Sequence, residues 1–250
     1  MRVVIAPKYQ HLEDFLRSVA QGDYQREEVW RNRRNTVELV RVGDVPLVVK
    51  KYKRPTLANC LIYTFFRKNK AQKAWENAFL FQKLGLETAM PVAYMVRKKW
   101  GFFHTAWFVS EYLPYPGIED AYLACSTDAE KKELVEAFVD FTLHLHELGI
   151  VHRDYNRGNI LVHRDAHGYH FALIDINRLW LKKNPGVRLS MRSLQMLNLD
   201  WMKLAGLLPR YAEGRHFSLD DCVFYLSRSK HQHTVQSHIK HGFKRFIGLE

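Results

Sequence analysis

Residues 151–161 read Val-His-Arg-Asp-Tyr-Asn-Arg-Gly-Asn-Ile-Leu, a dense polar run between a helix pattern and an apolar strand pattern. The helix is expected from about Asp128 to Leu148, with Leu134, Phe138, Phe141, Leu145 and Leu148 on one face. Thr127 and Glu130 have the spacing of a capping box, and Gly149 is placed to stop the helix. Ile160-Leu161-Val162 then opens a strand. A polar turn accounts for an Asp or an Asn singly. It does not account for His152, Arg153, Asp154 and Asn159 together at this spacing, so this stretch constrains fold and chemistry at once.

The rest of the chain must supply a core around that element. At 250 residues it can bury one sizeable core or divide it between two lobes. With 47% hydrophobic and 26% charged residues it is neither disordered nor collagen-like. No apolar run approaches the roughly 18 residues of a membrane span, so a soluble globular protein is expected. Lys and Arg exceed Asp and Glu by 38 − 26 = 12, a balance that favours phosphate-rich partners without choosing among nucleotides, nucleic acid and anionic lipid. Cys60, Cys125 and Cys222 are odd in number and far apart, which excludes a disulfide framework and a CxxC clamp and points to a reducing compartment. The opening MRVVIAP is too short for the apolar core of a secretory signal. His231, His233, His238 and His241 lack nearby cysteine or acidic partners, so they read as a solvated basic tail rather than a zinc site.

Strand patterns dominate the first half. Thr36–Val42 alternates, Gly43-Asp44 turns, and Pro46–Lys50 resumes, which predicts a hairpin. Lys73 to Leu84 carries helical spacing that ends at Gly85, and a strand pair is expected around Ala93–Val96 and Thr105–Val109. After the long helix, strands 160–162 and 171–174 bracket a turn, and the remainder reads as helical.

The 151–161 run resembles the catalytic loop of the protein-kinase-like superfamily, H-R-D-x-x-x-x-N. The resemblance implies Asp154 as the base that accepts a hydroxyl proton and Asn159 as a metal ligand. Leu173-Ile174-Asp175-Ile176-Asn177-Arg178, 175 − 154 = 21 residues on, resembles D-F-G with Asp175 as the magnesium ligand. Ile176 and Asn177 replace Phe-Gly, and Asn tolerates the left-handed backbone such a turn needs. Leu47-Val48-Val49-Lys50 resembles V-A-I-K. Because side chains alternate along a strand, only one of Lys50 and Lys51 can enter the cleft, and the motif selects Lys50, with Glu76 on the following helix as its partner. Phe108–Leu113 looks like a hinge, with Glu111 offering its carbonyl and Leu113 its amide to adenine. No G-x-G-x-x-G stands around Val29–Val37, where Arg31, Arg33 and Arg34 are the conjectured substitute. The implied fold is α+β and bilobal, a β-rich N-lobe over 1–112 and a mainly helical C-lobe over 113–250.

No A-P-E follows Asp175, and Lys-Lys-Tyr-Lys, the basic stretch 66–71 and D-I-N-R complete a pattern similar to the lipopolysaccharide kinase family (Kdo/WaaP, InaA-like) across roughly residues 30 to 210. That resemblance implies ATP and Mg²⁺ as cofactors and phosphorylation of a Kdo or heptose hydroxyl of the lipopolysaccharide inner core. It places the protein in the cytoplasm, peripheral on the inner membrane of a Gram-negative bacterium, with no nucleic-acid partner. A protein or small-molecule kinase of the same fold shares every catalytic residue, whereas a pseudokinase is expected to have lost one of Lys50, Asp154, Asn159 or Asp175. Leu61–Phe66 reads as a packed segment, with its basic flank 67–70 keeping a membrane wedge open. A second amphipathic stretch, Val235–Leu249, suits either a membrane surface or packing on the C-lobe.

Overall fold

The computed structural model describes residues 1–32, 35–199 and 201–246, with the side chains of residues 32, 201–205 and 233–246 excepted. The chain forms two compact units, Met1–Tyr115 with Ala172–Arg178, and Pro116–Phe171 with Leu179–Glu250. The division falls three residues past 112, and the segment around Asp175 belongs with the first unit although it follows the catalytic-loop stretch in sequence.

In the first unit, strand β1 (Arg2–Ile5) and helix α1 (Glu13–Gln21) precede β2 (Glu28–Asn32), β3 (Asn35–Val42) and β4 (Val45–Tyr52). Helices α2 (Leu57–Phe65) and α3 (Lys70–Lys83) and strands β5 (Pro91–Lys99) and β6 (Phe102–Glu111) complete it. The strands form one sheet in the order β1-β5-β6-β4-β3-β2, every pairing antiparallel. The β3–β4 hairpin turns at Gly43 (φ 58°), a backbone that suits glycine. Both sheet faces are covered. Tyr9, Leu12, Leu16 and Val19 from the N-terminal segment pack on Leu47, Val49, Met95, Trp107 and Val109. On the other face, Ala71 of α3 joins Tyr52, Tyr94 and Ala106. Such two-sided burial explains the near-continuous apolar run of β5, whose first six residues are all buried.

The second unit opens with α4 (Ile118–Ala124) and α5 (Asp128–Glu147), then β7 (Ile150–His152), β8 (Ile160–Asp165), β9 (Gly168–Leu173) and β10 (Leu179–Leu181), and ends in α6 (Val187–Leu194), α7 (Trp201–Gly214) and α8 (Leu219–Phe246). The expected capping box is present: Glu130 N–H donates to Thr127 Oγ1 and Thr127 N–H to Glu130 Oε2, each at 3.2 Å. Gly149 stops α5 at φ 78°, and a Cβ there would lie 2.7 Å from the Lys182 carbonyl. Phe138 stacks on Tyr155 and Phe141 on Phe171, so the apolar face of α5 carries the polar run that follows it.

A 3-10 turn at Pro7–Leu12 interrupts the helical periodicity before α1. Leu61–Phe66 is packed in part: Tyr63 lies against the Tyr52–Phe103 cluster and Thr64 Oγ1 accepts from Phe103 N–H at 2.8 Å. It lies on α2 and just beyond, and its other face leaves Leu61, Phe65 and Phe66 exposed. Among the described residues, no helix is long and apolar enough to cross a membrane. The C-terminal histidines after His231 and the side chains of Val235–Leu249 lie outside the described residues, as do Arg33 and Arg34.

Candidate active site

Backbone geometry explains the spacing of the 152–159 run. His152 closes β7, where its ring Nδ1 accepts the Asp154 N–H at 3.1 Å and its carbonyl accepts Ser193 Oγ–H at 2.7 Å. The chain then doubles back. Asn159 Nδ2 donates to the Asp154 carbonyl at 2.8 Å, Asn156 Nδ2 donates to the same oxygen at 3.2 Å, and Asn156 N–H at 2.7 Å. Asn159 is therefore tied back across five residues to the main chain of Asp154, and its amide oxygen is the end left to meet a cation. Between them Tyr155 points inward, fully buried, sharing a 2.8 Å hydrogen bond with Thr142 of α5. Burial holds its phenol far above the usual range, so it serves as a neutral anchor. Sequence reasoning left Tyr155 without a role, although an aromatic residue inside a polar run is a signal that the loop is pinned to a core.

In the first unit, Lys50 and Asp175 meet at 2.6 Å between Nζ and Oδ1, both largely buried. Strand alternation decides which lysine does so. Leu47 and Val49 face the α1 side of the sheet, so Lys51 follows them and lies over the Trp107 ring at 5.7 Å, while Lys50 turns to the α3 side.

Glu76 is not the partner of Lys50. It pairs with Lys68 at 2.8 Å and accepts from Gln72 Nε2 of its own helix. Helix phase is the reason. Ala71, Ala74, Ala78 and Phe81 form the buried face of α3, and Glu76 stands two residues, about 200°, from both Ala74 and Ala78. Asn77 occupies the inward position instead and donates to the Ile176 carbonyl at 2.5 Å. The left-handed residue of the turn is Asp175 itself, at φ 56°, rather than Asn177. Asn177 Nδ2 donates to the Asp175 carboxylate, and Thr88 Oγ1 donates to the Leu173 carbonyl at 2.6 Å, so the turn is held from both sides. Tyr52 lies beneath. Burial, then the negative charge of Asp175, pushes its phenol well up and keeps it protonated.

At the end of β6, Glu111 accepts hydrogen bonds from Tyr9 and, at 3.1 Å, from Lys8. Desolvation, followed by the Glu111 hydrogen bond, raises the Tyr9 pKa. The N-terminal turn thus holds the Glu111 side chain. Among the described residues the Leu113 N–H makes no backbone hydrogen bond. Arg31 is exposed on β2 just after a register shift.

Asp175 offers a carboxylate and Asn159 an amide oxygen. These are hard oxygen donors of the kind that fit a divalent cation bridging nucleotide phosphates, so the donor chemistry matches the group that the loop pattern calls for. No cluster of three or more His, Cys, Asp or Glu suited to a metal occurs among the described residues.

The β-rich first unit and helical second unit are those of a protein-kinase-like α+β fold. A solved structure of WaaP in complex with acyl carrier protein matches it with a TM-score of 0.65 at 18% identity, covering 93% of this chain and 99% of that chain. No curated protein matches the sequence. The model of the lipopolysaccharide kinase (Kdo/WaaP) family matches residues 20–209, and the chain belongs to that family. It is an ATP-dependent phosphotransferase acting on a sugar hydroxyl of the lipopolysaccharide inner core.

Proposed function

We propose that the chain transfers the γ-phosphoryl group of ATP, with Mg²⁺ as the divalent ion, to a hydroxyl of Kdo or heptose. Asp154 accepts the hydroxyl proton as the sugar oxygen bonds to phosphorus and the bond to the ADP oxygen breaks. Asn159 and Asp175 would hold the ion, whose charge would offset that of the phosphates. Lys50 contributes its charge to the phosphates, and Glu111 and Leu113 present main-chain groups to adenine. Most of the rate enhancement then comes from alignment and fixed charge rather than covalent chemistry. What best supports this reading is the 2.6 Å approach of Lys50 to Asp175, which brings the cation proposed for the phosphates and the carboxylate proposed for the metal to one place.

We propose further that the protein works in the cytoplasm at the face of the inner membrane of a Gram-negative bacterium, where its glycolipid acceptor is anchored. Phe65 and Phe66 are 66% and 82% exposed. They line an open cleft of about 590 Å³ together with Arg2, Arg67, Lys68 and Lys98. Exposed aromatic side chains rimmed by cations suit an anionic headgroup layer.

The test is mass spectrometry of lipopolysaccharide from cells with and without the gene. Loss of one phosphate from the inner core is the expected result, and an unchanged core would overturn the assignment.

A further inference from the structure

We propose that Lys51, Lys53, Arg54 and Arg97, gathered around His104, form a second anion site that takes the phosphate group of a sugar phosphate or a lipid headgroup. The proposal goes beyond the kinase reading and needs no turnover to test. These residues line a cavity of about 290 Å³ at one end of the first unit's sheet. Lys51 projects from the sheet face opposite Lys50, so the cavity is separate from the nucleotide-contacting position assigned above.

Three observations build the site. First, the register of β5 against β6 shifts between Arg97–Thr105 and Lys98–Phe103, which leaves His104 as an extra residue on β6. A bulge of this kind re-aims a side chain, and here it directs the ring among cations. Second, the cavity lining contains no acidic residue, and among the described residues none of Lys51, Lys53 and Arg54 forms an ion pair. Arg17, Arg26, Arg41 and Lys68 of this unit each have a carboxylate partner, whereas the cavity gathers its cations with none in its lining. Third, the arginine is already fixed. Arg97 donates to the Ala20 carbonyl and lies over the Trp107 ring at 5.3 Å, with Lys51 over the same ring at 5.7 Å. One guanidinium carries five N–H donors, so anchoring one leaves others for a ligand.

His104 reports on the site. Its Nδ1 is buried without a hydrogen-bond partner. Burial, and then the charges of Arg54, Lys99, Arg97 and Lys51, hold its pKa below the ordinary value. An anion in the cavity offsets those charges, favours the protonated ring and raises that pKa.

The experiment titrates inorganic phosphate into the full-length protein and follows the His104 ring resonances by NMR, assigned through their loss in His104→Gln. A saturable shift with a raised His104 pKa is expected. The double variant Lys51→Gln/Arg54→Gln should bind phosphate at least about tenfold more weakly, as expected for loss of about 1.4 kcal/mol or more, whereas Lys50→Gln should leave the His104 response intact. No saturation in the wild-type protein, which needs no variant to fold, overturns the proposal. So does a response abolished by Lys50→Gln and retained in the double variant. Glucose 6-phosphate and phosphatidylglycerol vesicles are then added as competitors. Displacement by either one supports the site and identifies which source of phosphate it takes, and failure of both overturns it.

Discussion

The ammonium of Lys50 lies 2.6 Å from the carboxylate of Asp175, 125 residues away in the chain by 175 − 50, within the same compact unit. A strand in the first half and a turn that follows the catalytic-loop stretch thus meet in one charge pair. Glu76, the partner expected for Lys50, is held elsewhere by Lys68.

That exchange of partners sets the first expectation. Glu76→Gln removes an exposed ion pair worth at most about 1 kcal/mol, so ATP affinity should change by less than a few-fold. Lys50→Gln removes a largely buried cation and should weaken nucleotide binding far more. Fluorescence titration with ATP measures both, and a large loss in Glu76→Gln would restore Glu76 to the site.

Asp154→Asn preserves size while removing charge and proton acceptor. Turnover should fall by at least about 10²-fold, with ATP binding largely retained. Because the Asp154 main chain, not its side chain, receives the Asn159 and Asn156 amides, the loop should keep its shape. Steady-state kinetics beside ATP titration separates the two effects, and undiminished turnover removes Asp154 from the mechanism.

Asp175→Ala should weaken nucleotide binding in the presence of Mg²⁺ much more than in EDTA, because its proposed role is to hold the ion. Calorimetry under both conditions is the measurement. Equal losses would make Asp175 a partner of Lys50 alone.

For the membrane face, Phe65→Ser/Phe66→Ser should abolish co-sedimentation with phosphatidylglycerol vesicles. Wild-type binding should weaken as salt rises, since each nearby cation contributes about 1 kcal/mol at an anionic surface. Binding that survives in the double variant would place the contact elsewhere.

His146, buried on α5, shares a 2.5 Å hydrogen bond with Tyr211. Burial, then the charge of Arg215, lowers its pKa to about 3. The folded form therefore resists protonation while the unfolded chain accepts a proton near pH 6.5. Between those values the unfolded state binds more protons, so stability falls as pH drops below about 6.5, by up to about 1.4 kcal/mol per pH unit. Urea unfolding at pH 7.5 and pH 5 should show the loss, and His146→Gln should flatten it. An equal slope in the variant would assign acid sensitivity to other groups.

Local order was legible wherever a residue's role depends on its near neighbours. The α5 capping box, the Gly149 stop, the β3–β4 hairpin and the 152–159 run could each be read because their determinants lie within a few residues and act through backbone hydrogen bonds or φ. Strand alternation likewise separated Lys50 from Lys51. Tertiary packing decided what local pattern leaves open. It set the rotation of α3, which turns Asn77 rather than Glu76 toward the Asp175 turn, and the exposure of Phe65 and Phe66. It also brought the N-terminal turn onto Glu111 and used a one-residue bulge to set His104 among cations. Rotation, register and long-range pairing depend on which faces bury one another across the whole sheet, and a chain's local periodicity does not carry that information.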